Sequence, residues 1–274
     1  MLPSTDTNTE ASQDNAEEEQ SGTQSLVQHL LELRSRVLKS LACVLIIFAG
    51  LFGFANDIYE FVAAPLQKYL PENSTMIATE VASPFLTPFK LTLLTSIFFS
   101  IPFIFYHIWS FVAPALYQNE KRIAIPLLVS SILLFYSGVA FAYYIVFPLV
   151  FSFFTSIGPE SVAMMTDISS YMDFVIKIFF GFGFAFEIPV ATVLLISAGL
   201  VSAESLAKKR PYVFTACFVF GMFLTPPDVI SQVLLAVPMW LLFEVGLLFG
   251  KLAIKDKSKK ETGTEIKTET ENDS

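Results

Sequence analysis

Residues 114–122, PALYQNEKR, form a short polar interruption between two long apolar runs. Residues 85–112 carry no charge after Lys90, and residues 123–150 carry none at all. Apolar runs of this length match the hydrocarbon thickness of a lipid bilayer. The sequence therefore predicts two membrane-spanning helices joined by a tight hairpin, with Glu120 at one surface of the membrane.

The charges of this hairpin allow two interpretations. A carboxylate at the edge of a membrane hairpin, with the aromatic ring of Phe111 nearby, can bind a cationic partner that arrives from the water. Alternatively, Glu120 pairs only with its basic neighbours Lys121 and Arg122. Position in the sequence does not decide between them.

Composition places the chain among polytopic membrane proteins. Hydrophobic residues make up 54% of its 274 residues and charged residues 15%, with a mean hydropathy of +0.61. Soluble domains carry about 45–50% apolar and about 25% charged residues. The net charge of −8 says little about partners, because residues 1–24 contain several acids and no Lys or Arg.

The chain divides into one domain and two polar tails. Residues 1–24 are acidic and residues 251–274 mix Lys with Asp and Glu, and both compositions predict disorder. The N-terminus lacks the basic and apolar regions of a signal peptide. Residues 25–250 form the predicted transmembrane domain.

Six apolar runs in this domain predict six transmembrane helices and an all-α fold. They cover residues 40–58, 85–112, 123–147, 174–200, 212–225 and 229–249. Before the first run, residues 25–39 place leucines at helical spacing, which predicts an amphipathic helix at the membrane interface. Nearly all Lys and Arg fall on the side of the termini, so the positive-inside rule predicts that both termini are cytoplasmic.

The predicted bundle is concave and kinked. The run 212–225 extends only about 21 Å as a helix, against about 30 Å of hydrocarbon, and we expect the fifth and sixth helices to be short. Proline bends a helix because it lacks a backbone N–H. Five prolines fall within the spans or at a span's end, at Pro102, Pro126, Pro148, Pro189 and Pro238.

Glu187 is the costliest residue of the apolar runs, because it lies near the middle of the fourth. A charged side chain there costs at least about 2.5–3.5 kcal/mol. One interpretation is a protonated side chain that is hydrogen-bonded inside the bundle. The other is a functional intramembrane site.

Two polar residues flank the Pro-Pro turn between the fifth and sixth runs. Thr225 and Gln232 offer hydrogen bonds to a partner helix, or else join their own two helices. Asp228 suits the start of the sixth helix as a cap.

Enzymatic interpretations lack their residues. His29 and His107 belong to no HExxH motif, and no nucleophile elbow or phosphate-binding loop is present. Cys43 and Cys217 lie in apolar runs and indicate neither a disulfide nor a metal site. We expect no catalytic residue, cofactor or metal.

Several ordered motifs together resemble the TatC family, the multispanning receptor subunit of the twin-arginine (Sec-independent) protein translocase. They are HLLELRSR (29–36), FANDIY (54–59), APL (64–66), TEVASPF (79–85), APALYQNEKR (113–122), LLFYSGVAFAYY (133–144), FEIP (186–189), KKRPYV (208–213) and GMFLTPPDVISQ (221–232). The resemblance covers residues 25–250. It implies export of folded proteins across the bacterial inner membrane, driven by the proton-motive force.

The resemblance also implies sites. Arg-Arg signal peptides bind at the cytoplasmic face, where the matching residues are Glu32, Arg34, Phe111 and Glu120. The apolar part of the signal lies near Glu187. A guanidinium fits a carboxylate bidentately, which Lys cannot do.

The partners implied by the resemblance are the single-span subunits TatA and TatB, further copies of this chain and lipid, with no nucleic acid. The positions that match the docking site for these subunits are Met222, Thr225 and Gln232. Pro65, Tyr143 and Asp228 match further family positions. Lys177 departs from the family pattern.

The alternative function is a proton-coupled small-solute transporter that uses Glu187. It lacks an inverted repeat and paired broken helices. Such a transporter depends on the midplane acid, whereas a signal receptor depends on Glu32 and Glu120.

Overall fold

The computed structural model describes residues 30–69, 76–116, 121–157, 165–224 and 229–272, and this part of the chain is helical apart from loops and one isolated β-bridge. We number the helices in chain order. They are α1 (residues 30–51), α2 (Ala55–Tyr69), α3 (Ser83–Leu116), α4 (Lys121–Phe141), α5 (Phe147–Ile157), α6 (Ile168–Ala185), α7 (Ile188–Ser197), α8 (Ala203–Lys208), α9 (Arg210–Leu224) and α10 (Val229–Asn272).

Five helical stretches of the described chain are long and apolar enough to cross a membrane. They are Leu30–Ala64, Ser83–Phe111, Ile125–Phe154, Ile168–Ser197 and Val229–Leu252. The remaining predicted span corresponds to α9, an apolar helix of 15 residues. At about 1.5 Å per residue it extends about 22 Å, which confirms the prediction of a short fifth helix.

Two predictions at the ends of the domain are not confirmed. The prediction of a short sixth helix is wrong, because the apolar part of α10 alone has 24 residues and the helix continues to Asn272. Residues 30–39 of the predicted interfacial helix run without a break into the first span, so a separate element is not seen there. Residues 25–29 of that helix lie outside the described part.

Two of the prolines at which we predict a bend lie close to an interruption of a span. A five-residue π-helical turn, Ala142–Val146, separates α4 from α5 just before Pro148. The fourth span breaks between α6 and α7, with Pro189 in the first turn of α7. Pro126 and Pro238 lie inside continuous helices, so a proline alone does not determine where a helix ends.

Aromatic and aliphatic side chains from most of the helices meet in one core. Phe147 of α5 and Phe182 of α6 are fully buried in it, with Leu235 of α10. The helix α10 packs along α7 and α9, and α4 packs against α6. The core therefore joins the spans directly beside the break at Glu187.

Glycines allow the closest helix contacts. A Cβ atom added at Gly246 of α10 would lie 2.7 Å from Pro189 Cα, and one at Gly138 of α4 would lie 2.5 Å from the carbonyl oxygen of Phe182. Small residues of this kind let transmembrane helices approach backbone to backbone. The position of α7 thus depends on a missing side chain in α10.

Asp167 fastens two loops at one end of the bundle. It caps α6 by accepting from Ser170 N at 3.0 Å, and it accepts from Thr79 N at 3.1 Å and Thr79 Oγ1 at 2.8 Å. Beside it, Ile77 N donates to Thr166 O at 3.0 Å. These hydrogen bonds, first from Ser170 N and then from Thr79, lower the pKa of the Asp167 carboxyl from 3.8 to about 2.

Candidate functional site

A cluster of charges lies where α1 begins and α3 ends. Glu32 Oε1 accepts from Arg36 Nε at 3.1 Å and from Arg36 Nη2 at 2.5 Å, one helical turn away. Arg36 Nη1 also donates to the backbone oxygen of His107 on α3, at 3.4 Å. The Glu32 side chain stays half exposed, at 51%, whereas that of Arg36 is 19% exposed. Arg36 therefore anchors this carboxylate to α3.

The other predicted recognition residues lie near this cluster or outside the described part. Phe111 is partly buried on α3, one turn beyond His107. Arg34 is exposed on α1 and lines a shallow cavity of about 460 Å³ with Lys39 and apolar residues. Glu120, which the hairpin motif singles out, lies outside the described residues.

Glu187 lies at the helix break of the fourth span, which the sequence predicted only as a bend. The backbone is hydrogen-bonded through the break, since Glu187 N donates to Phe184 O at 3.0 Å and Glu187 O accepts from Ala191 N at 2.9 Å. Its side chain differs, because the buried Oε1 atom has no hydrogen-bond partner among the residues that the structure describes. A satisfied backbone thus presents a carboxyl group with one unsatisfied oxygen.

A cavity of about 230 Å³ adjoins this carboxyl group. It is lined by Glu187 and by residues of α3, α4, α6 and α7, mostly apolar. Trp109 and Ser131 add two further polar groups to this lining, and Trp109 Nε1 donates to Ser131 Oγ at 3.3 Å. Trp109 and Ser131 were not predicted from the sequence as neighbours of Glu187. The available signal was a serine inside an apolar run.

The predicted docking residues divide between the inside and the outside of the α9–α10 hairpin. Gln232 of α10 donates through Nε2 to Phe218 O of α9 at 2.9 Å, so its amide group joins its own two helices, which was one of the two interpretations. Met222 is 51% exposed on α9. Thr225 and Asp228 lie outside the described residues.

An ion pair joins α9 and α10 at their other end. Arg210 Nε donates to Glu244 Oε1 and Arg210 Nη2 to Glu244 Oε2, both at 2.7 Å. This bidentate pair and the Gln232 bond fix the hairpin at two levels. The outward face of α9 stays apolar and exposed, with Phe223 at 68%.

The two further family-matched positions of the first and third spans meet at one carbonyl group. Tyr143, in the π-helical turn, donates to Phe61 O at 3.0 Å. Pro65 follows Phe61 by four residues in α2. Lys177, the departure from the family pattern, is exposed on α6.

The described ranges contain no cluster of three or more His, Cys, Asp and Glu side chains that could hold a metal ion. Cys43 and Cys217 are free thiols.

Comparison with known proteins decides the family. The sequence pattern of the family described as Sec-independent protein translocase protein (TatC) matches residues 28–238. The chain belongs to the TatC family. Members of this family are components of a protein translocase and are not enzymes in the catalytic sense. The family and the five long apolar helices together make this chain a multi-pass membrane protein of protein transport.

Individual TatC proteins match over most of their length. The Sec-independent protein translocase protein TatC of Azotobacter chroococcum mcd 1 is 65% identical over 225 residues, which are 82% of this chain and 88% of that protein. TatC of Escherichia coli strain K12 is 55% identical over 240 residues, 87% of this chain and 93% of that protein. A crystal structure described as the twin arginine translocase receptor TatC superposes with a TM-score of 0.75 at 39% identity, covering 82% of this chain and 99% of that one.

Proposed function

We propose that this chain is the receptor core of a twin-arginine protein translocase. It binds Arg-Arg signal peptides at its cytoplasmic face and, with single-span TatA and TatB subunits, exports folded proteins with energy from the proton-motive force. The proposal includes six spans in the inner membrane of a bacterial cell, and the basic loops favour an orientation with both termini in the cytoplasm. The match to the TatC family and the likeness to a twin arginine translocase receptor support this proposal most directly.

Within the chain, the carboxylate of Glu32 already binds one guanidinium group, that of Arg36. Glu32 already accepts two N–H groups of one arginine, at a half-exposed position held against α3. A guanidinium group keeps its charge and its planar fork at any physiological pH. An arriving signal arginine competes with Arg36 or shares its carboxylate, and Glu120 is the proposed acid for the second signal arginine.

The apolar part of the signal then extends toward Glu187. The cavity beside this residue is small and mostly apolar, with Trp109 and Ser131 as its other polar groups. A side chain of the signal fits a volume of about 230 Å³. The unpartnered Glu187 oxygen can accept a hydrogen bond from a polar group that enters with it.

The outer face of α9 is the proposed docking surface for the single-span subunits. The helix α9 is too short to span a bilayer by itself, and its exposed side includes Met222 and Phe223. A partner helix laid along it extends the apolar surface. Gln232 holds the hairpin that presents the surface, and Thr225, outside the described residues, is the proposed polar contact of the partner.

Site-specific photo-crosslinking tests the receptor role. A photoreactive residue at position 111 in membranes is offered a signal peptide with Arg-Arg, or the same peptide with Lys-Lys. We expect crosslinks with Arg-Arg only, and a several-fold loss with Glu32→Gln, because the amide removes the charge that attracts the guanidinium.

Glu204→Gln is the matched control. Glu204 is also an exposed acid near a membrane surface, in the first turn of α8, and its substitution leaves the crosslink unchanged. Equal crosslinking of both peptides in all variants contradicts the receptor role and leaves Glu32 as an ordinary surface charge.

A further inference from the structure

One backbone carbonyl in α2 lacks its helical donor. In an α-helix the carbonyl of Phe61 accepts from the N–H of residue 65. Residue 65 is proline, which has no N–H to donate to this carbonyl. Phe61 lies three residues before the end of the apolar stretch Leu30–Ala64, and a carbonyl group in hydrocarbon needs a donor from the protein.

A tyrosine from another span supplies the donor. The hydroxyl of Tyr143 donates to Phe61 O at 3.0 Å, over 82 residues of sequence. The two rings also stack, with centroids 5.3 Å apart and an angle of 5° between their planes. The contact therefore fixes both the distance and the orientation of α2 relative to the third span.

The π-helical turn Ala142–Val146 contains this tyrosine. A π-turn inserts one residue into a helix and changes the direction of the side chains around it. Ala142 and Val146 at the ends of the turn are buried in the core, which holds the turn in place. Tyr143 lies between them and contacts α2, whereas its neighbour Tyr144 is 71% exposed.

The next carbonyl of α2 is held in the same way. Tyr171 of α6 donates through its hydroxyl to Val62 O at 3.0 Å, in a buried position. Two tyrosines from two different spans thus donate to two successive carbonyls of the turn that precedes Pro65.

We propose that Tyr143 is a positioning residue whose hydroxyl replaces the amide hydrogen that Pro65 lacks, and so holds α2 at a fixed angle against the third span. Pro65 and Tyr143 then act as one unit through the Phe61 carbonyl. Substituting the tyrosine is harmful only while residue 65 is proline.

A four-variant cycle on the purified full-length chain in detergent tests this coupling. The wild type, Tyr143→Phe, Pro65→Ala and the double variant are compared by thermal unfolding. Tyr143→Phe alone leaves the Phe61 carbonyl unsatisfied, and we expect the midpoint to fall by about 2–6 °C. In the Pro65→Ala background the alanine N–H takes over this carbonyl, and we expect the same substitution to lower the midpoint by less than about 1 °C.

Tyr144→Phe is the matched control, because it removes a tyrosine hydroxyl from the same π-turn without a hydrogen bond to any described residue. Its effect is expected to be small and equal in both backgrounds. If Pro65→Ala does not accumulate, Pro65→Ser restores the same N–H. An equal cost of Tyr143→Phe in both backgrounds overturns the proposal. The measurement needs no cargo, so its result is independent of the proposed receptor function.

Discussion

Two places beside prolines in the helices of this chain, the turn before Pro65 and the break at Glu187, differ in how their polar groups are satisfied. At Pro65 the freed carbonyl accepts from Tyr143. At Glu187 the backbone is satisfied, yet a buried carboxyl oxygen has no partner among the described residues. A place of this kind whose polar groups are all paired costs little and fixes geometry. One that buries an unpaired polar atom costs stability, which a binding or transport role explains.

Close packing behind the Glu187 break gives the largest expected effect on stability. Gly246→Ala places a Cβ atom 2.7 Å from Pro189 Cα, in the helix that starts at the break. We expect a loss of about 1–3 kcal/mol in the free energy of unfolding, because backbone must move. Denaturant titration of the purified protein measures it.

Gly50→Ala is the control for this packing. Gly50 is also helical, but nothing lies within 4 Å of an added Cβ atom. Alanine there stabilises the helix by about 0.5–1 kcal/mol. If Gly246→Ala is as harmless as Gly50→Ala, the close approach of α10 to α7 is not what holds the break.

Glu187→Leu separates stability from function at the same break. Removing a buried carboxyl group with one unpaired oxygen relieves a desolvation cost, so we expect the unfolding midpoint to stay or rise. Export of an Arg-Arg cargo, measured as mature protein outside the cytoplasm, is expected to fall at least about tenfold, because the signal loses its polar contact in the cavity.

Thr192→Val is the comparison for the leucine variant. Thr192 is buried on the same helix α7 but does not line the cavity, and export with valine there is expected to be normal. Undiminished export by Glu187→Leu assigns Glu187 a structural role only.

Substitution of Asp167 is expected to have the smallest effect of these changes. Its hydrogen-bonded carboxyl group becomes protonated only in strong acid. Its folded pKa of about 2 lies below its ordinary 3.8, so its contribution to stability is complete above about pH 4 and disappears as the pH falls through 2. Hydrogen exchange at residues 76–80 is expected to be faster in Asp167→Asn than in the wild type at pH 6. The two should converge near pH 2, and a difference that is constant with pH contradicts the assignment.

The sequence alone located most of the architecture. Hydropathy found the five long spans and the short α9, because hydrocarbon thickness dictates the length of an apolar run. It misjudged the sixth helix, because the helix continues past the apolar part at Leu252. Proline positions indicated where helices could bend, but the packing of α10 on α7 and the π-turn determined where they did.

The sites were predictable as residues and not as contacts. Glu187 stood out by its cost in an apolar run, and Glu32 by the family motif. The partners that decide their roles come from distant parts of the chain, such as Ser131, which lines the Glu187 cavity, and Phe61 for Tyr143. Spacing in one sequence does not encode such pairs. Arg36 as the partner of Glu32 lies four residues away and was within reach of helical spacing.

The affinity ratio of two peptides tests the receptor function most directly. Binding of Arg-Arg and Lys-Lys signal peptides is measured with the purified chain in nanodiscs, for the wild type and for Glu32→Gln combined with Glu120→Gln. We expect the wild type to prefer Arg-Arg by at least about tenfold, because only arginine bonds a carboxylate bidentately. We expect the preference to fall below about twofold in the double variant. A preference that survives the loss of both acids places twin-arginine recognition elsewhere and contradicts the proposed site.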